Sequence, residues 1–149
     1  MNVAEVLKKD RIILGLFAAD KNEALDKMAD VLYKSGALTD KKAFMDDVME
    51  RERVSATGIG NGIAIPHGKS ANVKETTVAV ARLMDSVEWE SVDDEPVNFV
   101  VLLAVNENDK GGTHVKLLSQ MARKLASAET CKRLTDAANA DEVIKIFSE

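Results

Sequence analysis

The sequence predicts an α/β fold: a single domain over residues 1–149, built as a three-layer α/β/α sandwich around a mixed parallel and antiparallel sheet of about five strands. The length of 149 residues suits one domain of ordinary size. Runs of apolar or alternating residues, typical of strands, are separated by segments whose apolar residues recur at helical spacing. In chain order they give one strand, two helices, several strands and three helices, which favours a sheet covered on both faces.

The first strand and the first helix lie near the N-terminus. Residues 11–17 (RIILGLF) form a short apolar run, which is typical of a buried strand. Asp20 with Glu23 three residues later resembles a capping box, the pattern that begins many helices. Gly36 is suited to end that helix.

A second helix and a glycine-rich segment come next. Thr39 or Asp40 can cap the helix, which continues into Arg53. Residues 56–69 (ATGIGNGIAIPHGK) hold four glycines among small and β-branched residues. This pattern predicts a hairpin, or two short strands, joined around Asn61-Gly62.

The second half of the chain supplies the remaining strands and helices. Residues 76–84 alternate as a strand does, and the apolar run 97–105 (VNFVVLLAV) predicts a central strand. Residues 85–95 between them carry six acidic and no basic residues, which predicts a solvated connection. Three helices complete the chain: one opened by Gly111-Gly112-Thr113 and two over roughly 129–138 and 140–148, the last capped by Asn139 with Glu142.

Composition excludes several classes of function. The net charge of −5 argues against nucleic acid as the main partner, because phosphate backbones attract basic surfaces. No run approaches 18 apolar residues and no secretory signal is recognisable, so we expect no direct membrane insertion and a cytoplasmic location. Cys131 is the only cysteine, which excludes an internal disulfide and a cluster of thiolate ligands. We expect neither a metal nor a cofactor.

His67 is the most informative residue. Pro66 lacks a backbone donor and tends to end a strand, and it holds Ile65 extended. His67 is therefore expected at a strand end, held by a stiff turn, with Gly68 allowing close approach. A rigidly placed imidazole suits chemistry, whereas a histidine that caps a turn is an equally weighted structural alternative.

His114 and two arginines are the other candidates. His114 lies in the first turn of a predicted helix, where free N–H groups and the helix dipole favour phosphate. An exposed polar residue is the alternative. Arg51 and Arg53 end the second predicted helix; a guanidinium matches a phosphoryl group, yet arginines there also complement the helix dipole. The pattern does not separate the two arginines.

Together these residues resemble a known family. Arg51-Glu52 followed by Thr57-Gly58-Ile59-Gly60-Asn61-Gly62-Ile63-Ala64-Ile65-Pro66-His67-Gly68 closely resembles the signature of enzyme IIA of the fructose/mannitol class. This class belongs to the bacterial phosphoenolpyruvate-dependent sugar phosphotransferase system. The segment Val92-Asp93-Asp94-Glu95-Pro96-Val97, the following apolar strand and the helix led by His114 occur in the family's order, so the resemblance covers nearly the whole chain.

The resemblance implies a phosphoryl relay. His67 would accept a phosphoryl group on Nε2 from the phosphocarrier HPr and pass it to a cysteine of an enzyme IIB domain of a membrane sugar permease. The arginine of the family's active site falls on Arg51, and its second active-site histidine on His114. Thr57 is a weaker candidate for a hydrogen bond to the phosphoryl group.

The sequence also leaves alternatives open. A nitrogen-related enzyme IIA, whose phosphorylation state controls binding to other proteins, is the main alternative to sugar uptake, which the Val-Asp-x-x-Pro-Val segment favours. A histidine-dependent hydrolase would need a partner motif that the sequence lacks. The acidic segment 85–95 is a candidate surface for a basic carrier, although a solvated loop is the simpler interpretation.

Overall fold

The computed structural model describes residues 3–109 and 112–149. Its helices and strands follow one another along the chain as α1 Val3–Val6, β1 Leu7–Leu16, α2 Lys21–Lys34, α3 Lys41–Glu52, β2 Gly58–Gly60, β3 Ile63–Ala64, β4 His67–Ser70, β5 Thr77–Val87, β6 Val97–Asn106, α4 Thr113–Leu125, α5 Ala128–Asp136 and α6 Ala140–Ser148. Within residues 3–109 and 112–149, no helix combines the length and the apolar composition that crossing a bilayer requires.

The strands form one mixed sheet in the order β1-β5-β6-β3-β2, with β4 also paired to β6. β1 runs parallel to β5, and β3 and β4 run parallel to β6. β5 with β6, and β2 with β3, are antiparallel. The predicted mixed α/β sheet is confirmed, with six strands rather than about five.

Two hydrophobic cores lie on opposite faces of this sheet. Leu25, Met28 and Phe44 from α2 and α3 belong to one core. Leu117 and Leu134 from α4 and α5 belong to the other, together with apolar residues of α1 and α6. The central strand β6 alternates its side chains between the two cores, as the continuous apolar run predicted.

The predicted helix caps and the predicted hairpin turn are present in the structure. The side chain of Asp20 accepts a hydrogen bond from the Glu23 amide at 2.8 Å, and Asn139 accepts one from Glu142 at 3.0 Å. Asn61 and Gly62 have φ values of 58° and 77°, the positive φ pair that a tight hairpin turn between β2 and β3 needs.

Other boundaries were predicted wrongly. β1 begins at Leu7 rather than at residue 11, and the four-residue helix α1 before it was not predicted. β5 extends to Val87, into the segment taken for a connection. The start of α4, in contrast, agrees with the predicted opening: the helix begins at Thr113 with Gly112 as its N-cap, while Gly111 lies outside the described residues.

The strand that carries His67 is interrupted only at Ile65-Pro66. Ala64 faces Val100 on β6, and three residues later His67 faces Leu103, so the register continues unchanged across the proline. The Pro66 carbonyl still accepts a hydrogen bond from the Leu103 amide at 2.9 Å. His67 therefore begins β4 rather than ending the strand before it, and the central strand fixes its backbone.

Candidate active site

Two contacts orient the half-buried ring of His67. Nδ1 lies 3.4 Å from the carbonyl oxygen of Ile65, and Nε2 accepts a hydrogen bond from Nε of Arg51 at 3.1 Å. Because an arginine can only donate, Nε2 carries the lone pair of the neutral ring. The proton is then on Nδ1, where the Ile65 carbonyl can accept it, and Nε2 is the ring atom whose lone pair faces Arg51.

The structure separates the two arginines that the sequence left equivalent. Arg51 turns back from the last turn of α3 towards His67, and its Nη1 donates to the Ser55 carbonyl at 3.3 Å. Arg53 points into solvent, where its Nη1 lies 2.6 Å from the Glu50 carboxylate. Only Arg51 is in position to meet a group bound to His67.

The surroundings of His67 lower its pKa below the usual 6.5. Burial of the ring is the main cause, and the positive charge of Arg51 and the nearby ring of His114 act in the same direction. The Ile65 carbonyl and the negative charge of Glu52 oppose the shift. The ring is thereby held in the neutral form that a nucleophile requires.

His114 is the second residue of α4 and is half-buried. The interaction with His114 is one of the causes that lower the pKa of His67, so α4 places His114 within electrostatic range of His67. Nδ1 of His114 is buried and, among the residues that the structure describes, has no hydrogen-bond partner. The sequence placed these two histidines 47 positions apart with no indication beyond the family resemblance that they meet.

A buried acidic residue that sequence reasoning did not single out lies directly after Arg51. The Glu52 side chain is only 2% exposed, and its Oε1 accepts hydrogen bonds from Lys21 Nζ at 3.1 Å and from the Thr57 hydroxyl at 3.0 Å. Thr57 in turn accepts one from Trp89 Nε1 at 2.9 Å. The network ties the start of α2 and the loop after β5 to the end of α3.

This network changes the interpretation of Thr57. Its hydroxyl is buried and already hydrogen-bonded to Glu52 and Trp89, so it does not face the site as the sequence hypothesis proposed. Within the described part of the chain, Oε2 of Glu52 has no hydrogen-bond donor. The Glu52 carboxylate therefore depends on Lys21 and Thr57 for its stabilisation, because an unpaired buried charge is costly.

A shallow depression of about 340 Å³ exposes the His67–Arg51 pair to solvent. Val54, Lys69, Asp47 and Glu50 border it. A larger groove of about 510 Å³ lies between α5 and α6, far along the chain from these residues. Its lining consists mostly of charged side chains that form surface ion pairs, such as Lys132 with Asp136, so we assign no chemistry to it.

Two further sequence interpretations concern Cys131 and the acidic segment. Cys131 is buried, its Sγ donates to the Leu125 carbonyl, and burial raises the pKa of its thiol, as expected for a packed cysteine. In segment 85–95, Glu90 pairs with Lys21. Asp93 accepts hydrogen bonds from the Ser91 hydroxyl, from the Glu95 amide and from the Asn61 amide in the turn between β2 and β3. No group of three or more potential metal ligands lies together among residues 3–109 and 112–149.

Comparison with known proteins decides the family. The model of the family described as "Phosphoenolpyruvate-dependent sugar phosphotransferase system, EIIA 2" matches residues 5–149. The chain belongs to this type-2 EIIA family. The resemblance inferred from the signature around His67 is thereby confirmed, and so is the expectation of a phosphotransferase component.

Two curated relatives and one solved structure illustrate the range of the EIIA family. The chain is 37% identical over 149 residues to the fructose-specific EIIABC component of Bacillus subtilis, and it spans only 23% of that protein's length. It is 34% identical to the mannitol-specific phosphotransferase enzyme IIA component of Staphylococcus aureus, with 99% of this chain and 98% of that protein covered. The crystal structure of the nitrogen regulatory protein IIA-Ntr from Neisseria meningitidis superposes with a TM-score of 0.89 at 28% identity, covering 97% of both chains.

The environment of His67 predicts how its ring titrates. In the wild-type EIIA domain the pKa of His67 should lie below 6.5, and Arg51→Ala should raise it because the adjacent positive charge is removed. Since the folded ring binds its proton less tightly than the unfolded chain, His67 should reduce the stability as the pH falls below about 6.5. Histidine-resolved NMR titration measures both pKa values, and a wild-type value above 6.5 contradicts this description.

The buried network predicts a large stability difference between two neighbouring glutamates. Glu52→Gln removes the buried charge that Lys21 and Thr57 stabilise, and should reduce the free energy of unfolding by about 1–3 kcal/mol. Glu50→Gln is the matched control, because the exposed Glu50 side chain pairs with the exposed Arg53 and should show no measurable change. Urea unfolding tests the pair, and equal effects of the two substitutions would exclude a stabilising network.

Proposed function

We propose that this EIIA domain accepts a phosphoryl group from HPr on Nε2 of His67 and transfers it to the cysteine of an EIIB domain. We place it in the cytoplasm, in an uptake system for fructose-type sugars. The observation that carries the proposal is the arrangement of His67, with Nδ1 at the Ile65 carbonyl and Nε2 at Arg51. It defines a neutral nucleophilic nitrogen with a guanidinium beside it.

Arg51 has to change partner during the reaction. In the free protein its Nε–H group occupies the lone pair of His67 Nε2, the same electron pair that must form the bond to phosphorus. We expect the guanidinium to move onto the oxygens of the arriving phosphoryl group, whose developing charge it stabilises. The P–N bond to the donor histidine breaks as the bond to Nε2 forms, so the phosphoryl group is conserved.

The contact at Nδ1 stabilises the product. Once phosphorus is bound to Nε2, the ring of His67 keeps its Nδ1 proton and gains positive charge, which the Ile65 carbonyl stabilises. In the second transfer a cysteine thiolate of the EIIB domain attacks phosphorus and the neutral ring leaves with its electron pair. Positioning and charge stabilisation are what such transfers require from a protein.

His114 supplies the other side of the site. Its Nδ1 has no hydrogen-bond partner among the described residues, and its place at the start of α4 adds the amides and the dipole of a helix N-terminus, which favour a phosphoryl oxygen. The depression beside His67 also exposes apolar area, because Val54, which borders it, is 75% exposed. This side chain is suited to a small, transient interface with a carrier protein.

A regulatory role is the second candidate. The high structural similarity to the nitrogen regulatory IIA protein favours it, since that protein shares the fold over 97% of this chain. In that case His67 would still be phosphorylated, but the phosphorylated and free forms would differ in their binding to other proteins. Transfer of label from this domain to a cysteine of a sugar-specific EIIB domain distinguishes sugar uptake from this alternative.

The proposed roles predict a graded series of transfer rates. With labelled phosphoenolpyruvate, enzyme I and HPr, His67→Gln should accept no label, and Arg51→Ala should be slower by about 10²–10³-fold. His114→Ala should be slower by at least about tenfold. Arg53→Ala is the matched control and should transfer at the wild-type rate, because Arg53 contacts only exposed Glu50.

The labelled product and the control decide the outcome. An acid-labile, alkali-stable label on the wild type supports a phosphohistidine. Equal rates for Arg51→Ala and Arg53→Ala would remove Arg51 from the mechanism. No label on folded wild type, with HPr from several sources, would overturn the proposed function.

A further inference from the structure

Gly68 follows the nucleophilic histidine and packs against α3 without a side chain. Its φ lies outside the left-handed region that favours glycine, so its backbone conformation is open to any residue. Gly68 is buried on β4, where it faces Ala104 of the central strand. The need for glycine at this position therefore comes from the space around it.

That space is filled by α3. A methyl group placed on Gly68 would lie 2.8 Å from Cγ2 of Val48 and 3.1 Å from Cε1 of Phe44. It would also lie 3.4 Å from the backbone nitrogen of Val48. Both side chains are fully buried, and a valine in a helix has one strongly preferred rotamer, so neither can turn aside easily. A larger residue at 68 would have to push α3 away from β4.

The same face of α3 carries Arg51. Phe44, Val48 and Arg51 follow one another at spacings of four and three residues, which places them along one stripe of the helix. The first two contact Gly68, and Arg51 contacts the preceding residue of β4, His67, at 3.1 Å. The approach of α3 to β4 at Gly68 thus determines the distance between the guanidinium and the imidazole.

We propose that Gly68 is a positioning residue for phosphoryl transfer: by lacking a side chain it lets α3 approach β4 closely enough for Arg51 to reach Nε2 of His67. Gly68 borders the depression beside His67 but offers no side chain to a phosphoryl group, so its effect comes through Arg51. As far as transfer rates are concerned, the inference rests on the proposed function. The structural part of the inference, that the Arg51–His67 contact depends on Gly68, can be tested without measuring phosphoryl transfer.

The kinetic test is a double-mutant cycle, which measures the effect of Gly68→Ala on the transfer rate with and without Arg51. Gly68→Ala should slow transfer by about 10- to 100-fold, because a displacement near 1 Å is enough for such a loss. In the Arg51→Ala background the same substitution should cause no further loss, since Gly68 acts through Arg51. Slowing by the same factor in both backgrounds, or a wild-type rate for Gly68→Ala, overturns the proposal.

A compensating substitution tests the packing directly. Val48→Ala removes the methyl group that meets the added one, so Val48→Ala/Gly68→Ala should transfer within about threefold of the wild-type rate. Leu134→Ala, in the core on the other face of the sheet, is the control for lost stability and should leave the transfer rate unchanged. If Gly68→Ala alone does not fold, the double variant still decides: a folded double variant as slow as Arg51→Ala contradicts the proposal.

NMR titration of His67 distinguishes a change at the site from a general loss of stability, because the pKa is measured in the folded protein. The pKa of His67 in folded Gly68→Ala should rise towards its value in Arg51→Ala, and it should return to the wild-type value in the double variant. A wild-type pKa in Gly68→Ala overturns the proposal. If the wild type accepts no label from HPr, the proposed function fails, while this titration still tests the role of Gly68.

Discussion

The hydrogen bond between Arg51 and His67 depends on how closely α3 packs against β4. His67 is fixed from one side, because β4 continues the register of β3 along the central strand β6. Arg51 is fixed from the other side by a helix whose buried residues Phe44 and Val48 lie on Gly68. The geometry of the site is therefore a result of sheet register and helix packing.

Charge around the site follows from the same packing. Burial, the positive charge of Arg51 and the interaction with His114 lower the pKa of His67 and favour its neutral ring, while the buried carboxylate of Glu52 limits this effect. Glu52 is itself stabilised by Lys21 from α2 and by Thr57. Adjacent residues at the end of α3 thus lie in opposite environments: Arg51 faces the ring of His67, and Glu52 anchors the helix end in the interior.

The sequence correctly predicted those features of the fold that depend on residues close together in the chain. Capping by Asp20, the turn at Asn61-Gly62 and the apolar central strand each have a short-range cause, and all three are present. The helix α1 was missed because four residues give no periodic signal, and it packs on α6 and α4 rather than being stable alone.

Tertiary contacts account for what the sequence left open at the site. The choice between Arg51 and Arg53 depends on which side of α3 meets β4, and the burial of Glu52 depends on a lysine 31 residues earlier. A glutamate at a helix end is ordinarily solvated, so nothing in the local pattern distinguished Glu52. The family resemblance pointed to Arg51 correctly as the arginine beside His67, because it carries tertiary information that spacing alone does not.

Long-range ¹H–¹⁵N correlation of the His67 ring, before and after phosphorylation by HPr, tests the account most directly. The free protein should show the proton on Nδ1 and an unprotonated Nε2, as the contacts with Ile65 and Arg51 require. The phosphorylated protein should show coupling of phosphorus to Nε2. A proton on Nε2 in the free neutral ring, or phosphorus on Nδ1, would contradict the arrangement from which the mechanism is derived.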